Sequence, residues 1–264
     1  LKSAWAATTS PIYTNTGDGY VSNNNAVWDT VHDAITGSAA YPTSATSTIS
    51  SWYSTNYVIN RAFFPFDTSS LDNDITITSA LFFYYYVIDY VNSNGGTHSI
   101  NLVQPTQPNA ATLTTADFDL CGNINNPTEG SYRVALASEV TYDTWSAFEL
   151  NATGLGWISL TGTTSLGIRT NFDMDDISPT NGANELIYLI PNSEAIGIVY
   201  DPFLSVYYGN SLGRAIIDVD DNEFCYSTGT AVCFSTTGGA GNFRIGYRTG
   251  VDYGQIHTGY RFQN

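Results

Sequence analysis

The stretch from Asn60 to Tyr90 constrains the fold more than any other part of the chain. Asn60-Arg61-Ala62-Phe63-Phe64-Pro65-Phe66-Asp67 is followed by the polar turn Thr68-Ser69-Ser70-Leu71. Then comes Ile75-Thr76-Ile77-Thr78-Ser79-Ala80-Leu81-Phe82-Phe83-Tyr84-Tyr85-Tyr86-Val87. β-Branched and aromatic residues at this density suit a pleated, half-buried surface, so the stretch reads as a buried strand, a turn and a longer strand. Side chains alternate across a strand. Leu81, Phe83, Tyr85 and Val87 therefore point one way, and Phe82, Tyr84 and Tyr86 the other. Both faces are apolar, which places the strand centrally in a sheet or leaves one aromatic face for a partner.

The rest of the chain supplies further strands. Gly, Ser, Thr, Asn and Tyr are abundant and no long run has helical apolar spacing, so many short strands joined by turns are expected. Strands are predicted within 4–13, at Tyr20-Val21, over 99–103, 134–136, 147–150 and through 166–169, and over 186–189, 196–199 and 201–208. Residues 26–34 read as a loop or edge strand, and 36–56 as a long irregular connection, a length usually functional or mobile inside a domain. Short helical turns are predicted from Thr115 and over 153–158, and a polar loop over 171–184. With 264 residues the chain can bury a sizeable core, and this order of elements indicates an all-β sandwich or jelly roll.

Charge narrows the function classes. There are 24 acidic residues against 8 basic ones, a net charge of -16, and such a surface repels phosphate backbones, so nucleic-acid binding is not expected. No apolar run approaches the roughly 20 residues of a membrane-spanning helix, so no membrane insertion is expected either. The chain opens at Leu1 without a signal-like stretch, which reads as a processed chain or a fragment of a longer one. Cys225 and Cys233 flank a short segment with Gly229 at its middle and can face each other across a hairpin. A disulfide there implies an oxidising compartment; two buried free thiols are the alternative. Cys121 has no evident partner and reads as a small core residue.

Several pieces in order carry a resemblance. Arg61-Ala62-Phe63-x-x-Phe66-Asp67-Thr68-Ser69-x-Leu71 and Ile75-x-Ile77-x-Ser79-Ala80 resemble the opening signature of the DNRLRE-type domain, a β-sandwich family grouped with carbohydrate-binding modules. Leu150-Asn151-Ala152-Thr153-Gly154-Leu155-x-Trp157-Ile158, Leu166-Gly167-Ile168-Arg169 with Asp173 downstream, and Asp201-Pro202-x-Leu204-x-Val206-x-Tyr208 are similar to its later pieces. The hexapeptide that names the family is absent. The resemblance spans residues 12–208 and implies a jelly-roll fold in extracellular, cell-surface or virion-surface proteins, often beside polysaccharide-degrading domains. The segment Trp28-Asp29-Thr30-Val31-His32-Asp33-Ala34 is similar to surface proteins of phages. Such a family fixes a fold far better than a ligand. Residues 1–208 are therefore expected to form the jelly roll, and 209–264 a C-terminal β extension or partial second module. Four of the eight basic residues, Arg214, Arg244, Arg248 and Arg261, fall in that tail, which can dock on a neighbour's acidic body.

Candidate chemistry is that of binding rather than catalysis. His32, His98 and His257 are scattered, and no second ligand stands at metal-protease spacing. No carboxylate pair is singled out for glycoside hydrolysis, and no enzymatic activity is expected. Flat rings stack on the C–H face of a sugar while polar neighbours bond its hydroxyls. Trp28, Trp52, Tyr53 and Tyr57 in the first loops, with Tyr84 and Tyr86 on the long strand, are the candidate ligand-binding residues. Packing under a loop or against a neighbouring subunit is the alternative for Tyr84 and Tyr86. Arg61 and Arg169 sit inside apolar strand patterns, where a buried guanidinium must be paired; Asp67 and Asp173 are the candidate partners. The acidic runs at 173–176 and at Asp218, Asp220, Asp221 and Glu223 could supply oxygens to a structural calcium ion, with a solvated acidic loop as the alternative. Asn151-Ala152-Thr153 is a glycan acceptor sequence. The function expected is a non-catalytic surface module that binds a polysaccharide or cell-surface glycan. The alternative is a structural decoration or fibre protein whose aromatics pack against neighbouring subunits.

Overall fold

The computed structural model describes residues 6–92, 98–135, 144–180, 185–193, 200–210, 215–218, 223–227, 231–235, 244–249 and 252–255. The chain divides into two compact bodies, the larger made of Thr8–Asn73 and Ile77–Tyr208. In chain order the elements are β1 (Ala6–Thr8), β2 (Ile12–Tyr13) and β3 (Gly19–Asn25), followed by the single-turn helix α1 (Trp28–His32). Next come β4 (Ala39–Tyr41), β5 (Thr46–Tyr53), β6 (Tyr57–Asp67), β7 (Ile75–Tyr86), β8 (Ile88–Asn92) and β9 (Ser99–Val103). A 3-10 helix (Thr115–Leu120) precedes β10 (Val134–Ala135), β11 (Thr144–Glu149), α2 (Ala152–Leu155) and β12 (Thr163–Thr170). The last elements are α3 (Asn171–Met174), β13 (Glu185–Pro191) and β14 (Phe203–Asn210).

Two antiparallel sheets pack face to face, so the fold is an all-β sandwich. The smaller sheet runs β1-β14-β7-β11, with β2 also on β14. The larger runs β10-β9-β12-β6-β5-β13-β8, with β3 also on β6 and β4 on β3. The chain crosses between sheets after β6, at the bend from β7 into β8, and again around β11 and before β14, in the manner of a jelly roll. β6 is buried from Ile59 to Phe66 on both of its faces. Phe64 and Phe66 meet the other sheet, each with its ring 5.3 Å from Phe82 of β7. Tyr84 adds to this core, 5.1 Å from Phe148 of β11. Full burial of each such ring contributes about 1.5–3 kcal/mol.

The opposite face of β6 carries Ile59, Arg61 and Phe63, and a layer of short helices and loops covers it. Val21, Trp28, Val31, Phe118, Cys121 and Met174 close over Ile59 and Phe63 as a second core. This layer corrects two expectations. Residues 28–32 form a helix rather than a loop or edge strand, because Trp28, Val31 and His32 lie on one helical face and are buried together. Residues 36–56 hold β4 and β5 rather than an irregular connection, since their alternating Ser and Thr residues pair with β6 and β13. The strand predicted at 196–199 lies outside the described residues.

Beyond Gly209, β15 (Ala215–Asp218), β16 (Glu223–Ser227), β17 (Ala231–Ser235), β18 (Arg244–Thr249) and β19 (Asp252–Gln255) form one antiparallel sheet in chain order. β19 ends at Gln255, and 256–264 lie outside the described residues. Among the described residues, no helix is long and apolar enough to cross a membrane.

Candidate functional site

The outer face of the smaller sheet is the most distinctive surface of the sandwich. Along β7, Ala80, Phe82, Tyr84 and Tyr86 are buried, and the alternate residues Leu81, Phe83 and Tyr85 are half-exposed. β11 is paired so that Trp145 stands opposite Tyr85 and Ala147 opposite Phe83. β14 brings Phe203, whose ring stacks on Phe83 at 4.7 Å and 18°. Trp145 closes on Phe203 at 5.2 Å, and Tyr13 of β2 does so at 5.7 Å. Tyr200 lies 4.3 Å from Tyr85. These six rings form one continuous aromatic layer across four strands, a span of roughly 14 Å at ordinary strand spacing. Tyr13, Trp145 and Tyr200 are each about two-fifths exposed (39%, 38% and 42%). Exposed apolar patches of this kind mark interaction surfaces.

This face replaces part of the expected one. Tyr84 and Tyr86 are 0% and 1% exposed and point into the sandwich, so they are core residues and not a ligand surface. Trp28 is also buried, its ring 5.5 Å from His32 and its indole Nε1 donating to Asp176 Oδ1 at 2.8 Å. Trp52, Tyr53 and Tyr57 are half-buried around the β5–β6 hairpin, where Tyr53 and Tyr57 face each other at 4.5 Å. They are not part of the six-ring layer. Its residues were legible only as strand patterns: Thr144-Trp145-Ser146-Ala147-Phe148-Glu149 alternates, but nothing local says which parity faces out.

The two arginines share one carboxylate. Arg61 donates from Nε and Nη2 to Asp173 at 2.9 and 2.7 Å, and Arg169 Nε donates to the same group at 2.6 Å. All three side chains are fully buried. The remaining donors find backbone carbonyls: Arg61 reaches those of Phe118 and His32, and Arg169 those of Asn123, Ile124 and Asp173. Arg61 also lies over the Phe118 ring at 4.1 Å. Burial alone raises the pKa of Asp173, but the charges of Arg169 and Arg61 outweigh it and hold the carboxyl well below the usual carboxylate range. Asp67 takes no part in this centre. It is exposed at the end of β6, where the Ser69 hydroxyl and amide donate to it and lower its pKa.

The remaining acidic candidates divide similarly. Within 173–176, Asp175 pairs with Arg133, which also grips Glu129, and Asp176 accepts from Trp28. Each of these carboxylates has a protein partner. Asp220 and Asp221 lie outside the described residues, and Asp218 and Glu223 stand opposite each other in the β15–β16 register. Among the described residues, no group of three or more His, Cys, Asp or Glu side chains could hold a metal ion. The β16–β17 register sets Cys225 directly opposite Cys233. Cys121 is buried, and burial pushes its thiol up to about 12. Asn151 of the acceptor sequence caps α2, accepting from the amides of Thr153 and Gly154 while its Nδ2 donates to the Glu129 carbonyl.

The chain contains one Gly-x-Ser-x-Gly, Gly209-Asn210-Ser211-Leu212-Gly213. A strand, β15, follows it, whereas a nucleophile elbow needs a strand-to-helix turn. Ser211 itself lies outside the described residues. No protein-family model matches this chain, and no curated protein sequence matches it.

Proposed function

We propose that the protein is a non-catalytic, surface-displayed β-sandwich module that binds a polysaccharide or cell-surface glycan through the aromatic outer face of its smaller sheet. The observation that carries this reading is the continuous layer of Tyr13, Phe203, Phe83, Trp145, Tyr85 and Tyr200. Half-exposed rings on a sheet face can stack on the C–H faces of a sugar chain, whether set flat, as Phe83 and Phe203 are, or tilted, as Trp145 and Tyr200 are. The acidic balance and the ordered DNRLRE-type motifs support an extracellular setting, on a cell or virion surface. The test is depletion of the full chain from solution by insoluble cellulose, chitin, xylan and β-1,3-glucan. At least one is expected to retain it, and Trp145→Ala to weaken retention about tenfold or more, the scale of one lost aromatic contact in a binding centre. Retention by none of the four overturns the glycan reading.

A second reading is favoured by the way the rings pack on one another. Phe83 and Phe203 stack without polar groups, as in a buried contact. On that reading the same face joins subunits of a virion or extracellular assembly, and the chain is a decoration or fibre component.

A further inference from the structure

An open groove of about 530 Å3 lies on the other side of the sandwich, where segments leaving β9, the 3-10 helix and α2 converge. This volume falls within the range of about 300–1,000 Å3 typical of small-ligand clefts. One wall is the half-buried indole of Trp157. Asp119, Asn123, Thr128, Gln104 and Thr106 are the polar side chains that line the groove with Trp157. Among the described residues, none of these five polar side chains has a protein hydrogen-bond partner. Their donors and acceptors are turned to water and free to exchange it for a ligand's hydroxyls.

The groove is held in shape from behind by the buried ionic centre. Arg169 takes the carbonyls of Asn123 and Ile124 at 2.6 and 2.9 Å, and Arg61 takes that of Phe118, next to Asp119. Trp157 is fixed just as firmly. Its ring rests on the bare Cα of Gly130, where a Cβ would stand 2.0 Å from Cζ3. Asn151 ties Gly154, and so the turn leading to Trp157, to the Glu129 carbonyl. The groove thus pairs one indole fixed in advance with several hydroxyl, amide and carboxylate groups not committed to the protein.

We infer that this groove binds a neutral oligosaccharide, stacked on Trp157 and hydrogen-bonded by Asp119 and Asn123. Neutrality follows from charge: Asp119 lines the groove, no basic side chain does, and the chain carries -16, so uronate or sulfate groups are repelled. This inference goes beyond the aromatic face and stands even if that face is a subunit contact.

The test is fluorine NMR of the full chain carrying 5-fluorotryptophan, with the Trp157 and Trp145 signals assigned from Trp157→Phe and Trp145→Phe. The probes are cellotetraose, xylotetraose, chitotetraose and maltotetraose, with tetragalacturonate as the charged control. At least one neutral probe is expected to shift the Trp157 signal saturably while tetragalacturonate does not. Asp119→Ala is expected to weaken that binding about tenfold or more, as loss of a charge-assisted hydrogen bond does. Gly130→Ala, which displaces the indole, is expected to weaken it while the other tryptophan signals keep their positions. No movement of the Trp157 signal with any neutral probe overturns the inference. An equal response to tetragalacturonate overturns it as well. A shift confined to Trp145 overturns it while supporting the aromatic face.

Discussion

Asp173 is the single carboxylate on which two buried guanidinium groups converge. Replacing it with Asn leaves Arg61 and Arg169 buried against a neutral amide, and breaking a buried ion network by deleting one partner costs about 3–5 kcal/mol. Asp173→Asn is therefore expected to lower the unfolding free energy by about that amount at pH 7, measured by urea titration. The folded pKa of Asp173 lies below the unfolded value of about 3.9. Its contribution is thus complete above that value and is lost as pH falls through the folded pKa. The gap between wild type and variant should hold from about pH 7 to 5 and narrow below about pH 4; a gap that widens in acid would contradict the assignment. Cys121, with its thiol pushed up to about 12, should resist iodoacetamide at pH 8 in the native chain and react once unfolded. Native labelling of Cys121 would show that the second core is open. Pairing of both arginines was legible in the sequence, because two lone guanidinium groups in apolar strands need a carboxylate. Sharing of Asp173 was not, since it depends on α3 bringing one side chain between β6 and β12.

At the scale of elements, β7 shows what alternation can and cannot tell. Its two faces were separable from the sequence, and Phe82, Tyr84 and Tyr86 do share one side. Which side is inward was not separable, because both are apolar; only pairing with β11 and packing on Phe64 and Phe66 decide it. The aromatic face was missed for this reason, its rings coming from four strands far apart in the chain. α1 was misread because five residues are too few for a helical period to stand out from alternation. Trp157 belonged to a quoted motif, but its groove depends on Gly130 and Asp119, which no local pattern links to it. In the sheet beyond Gly209, the register sets Cys225 opposite Cys233, and directly opposed residues of an antiparallel pair have Cα atoms about 4.5–5.5 Å apart, within the roughly 4.4–6.8 Å that a disulfide spans. Unreduced peptide mapping of chain made in an oxidising compartment should give one linked peptide pair holding Cys225 and Cys233. Free thiols at both positions would exclude the bridge.

At the scale of the whole molecule, the sandwich has one aromatic sheet face and, on its other side, a polar groove braced by buried charge. Both suit a rigid module that presents preformed surfaces to extended ligands, and neither asks for moving parts. The strongly acidic chain also disfavours close packing of like copies unless an apolar contact outweighs the repulsion. Light scattering of the purified full chain over a wide concentration range therefore tests the central reading most directly. A single-chain mass throughout, unchanged in Trp145→Ala, is the result expected of a binding module whose aromatic face is open to glycans. An ordered oligomer that Trp145→Ala dissociates would contradict it and make that face a subunit interface.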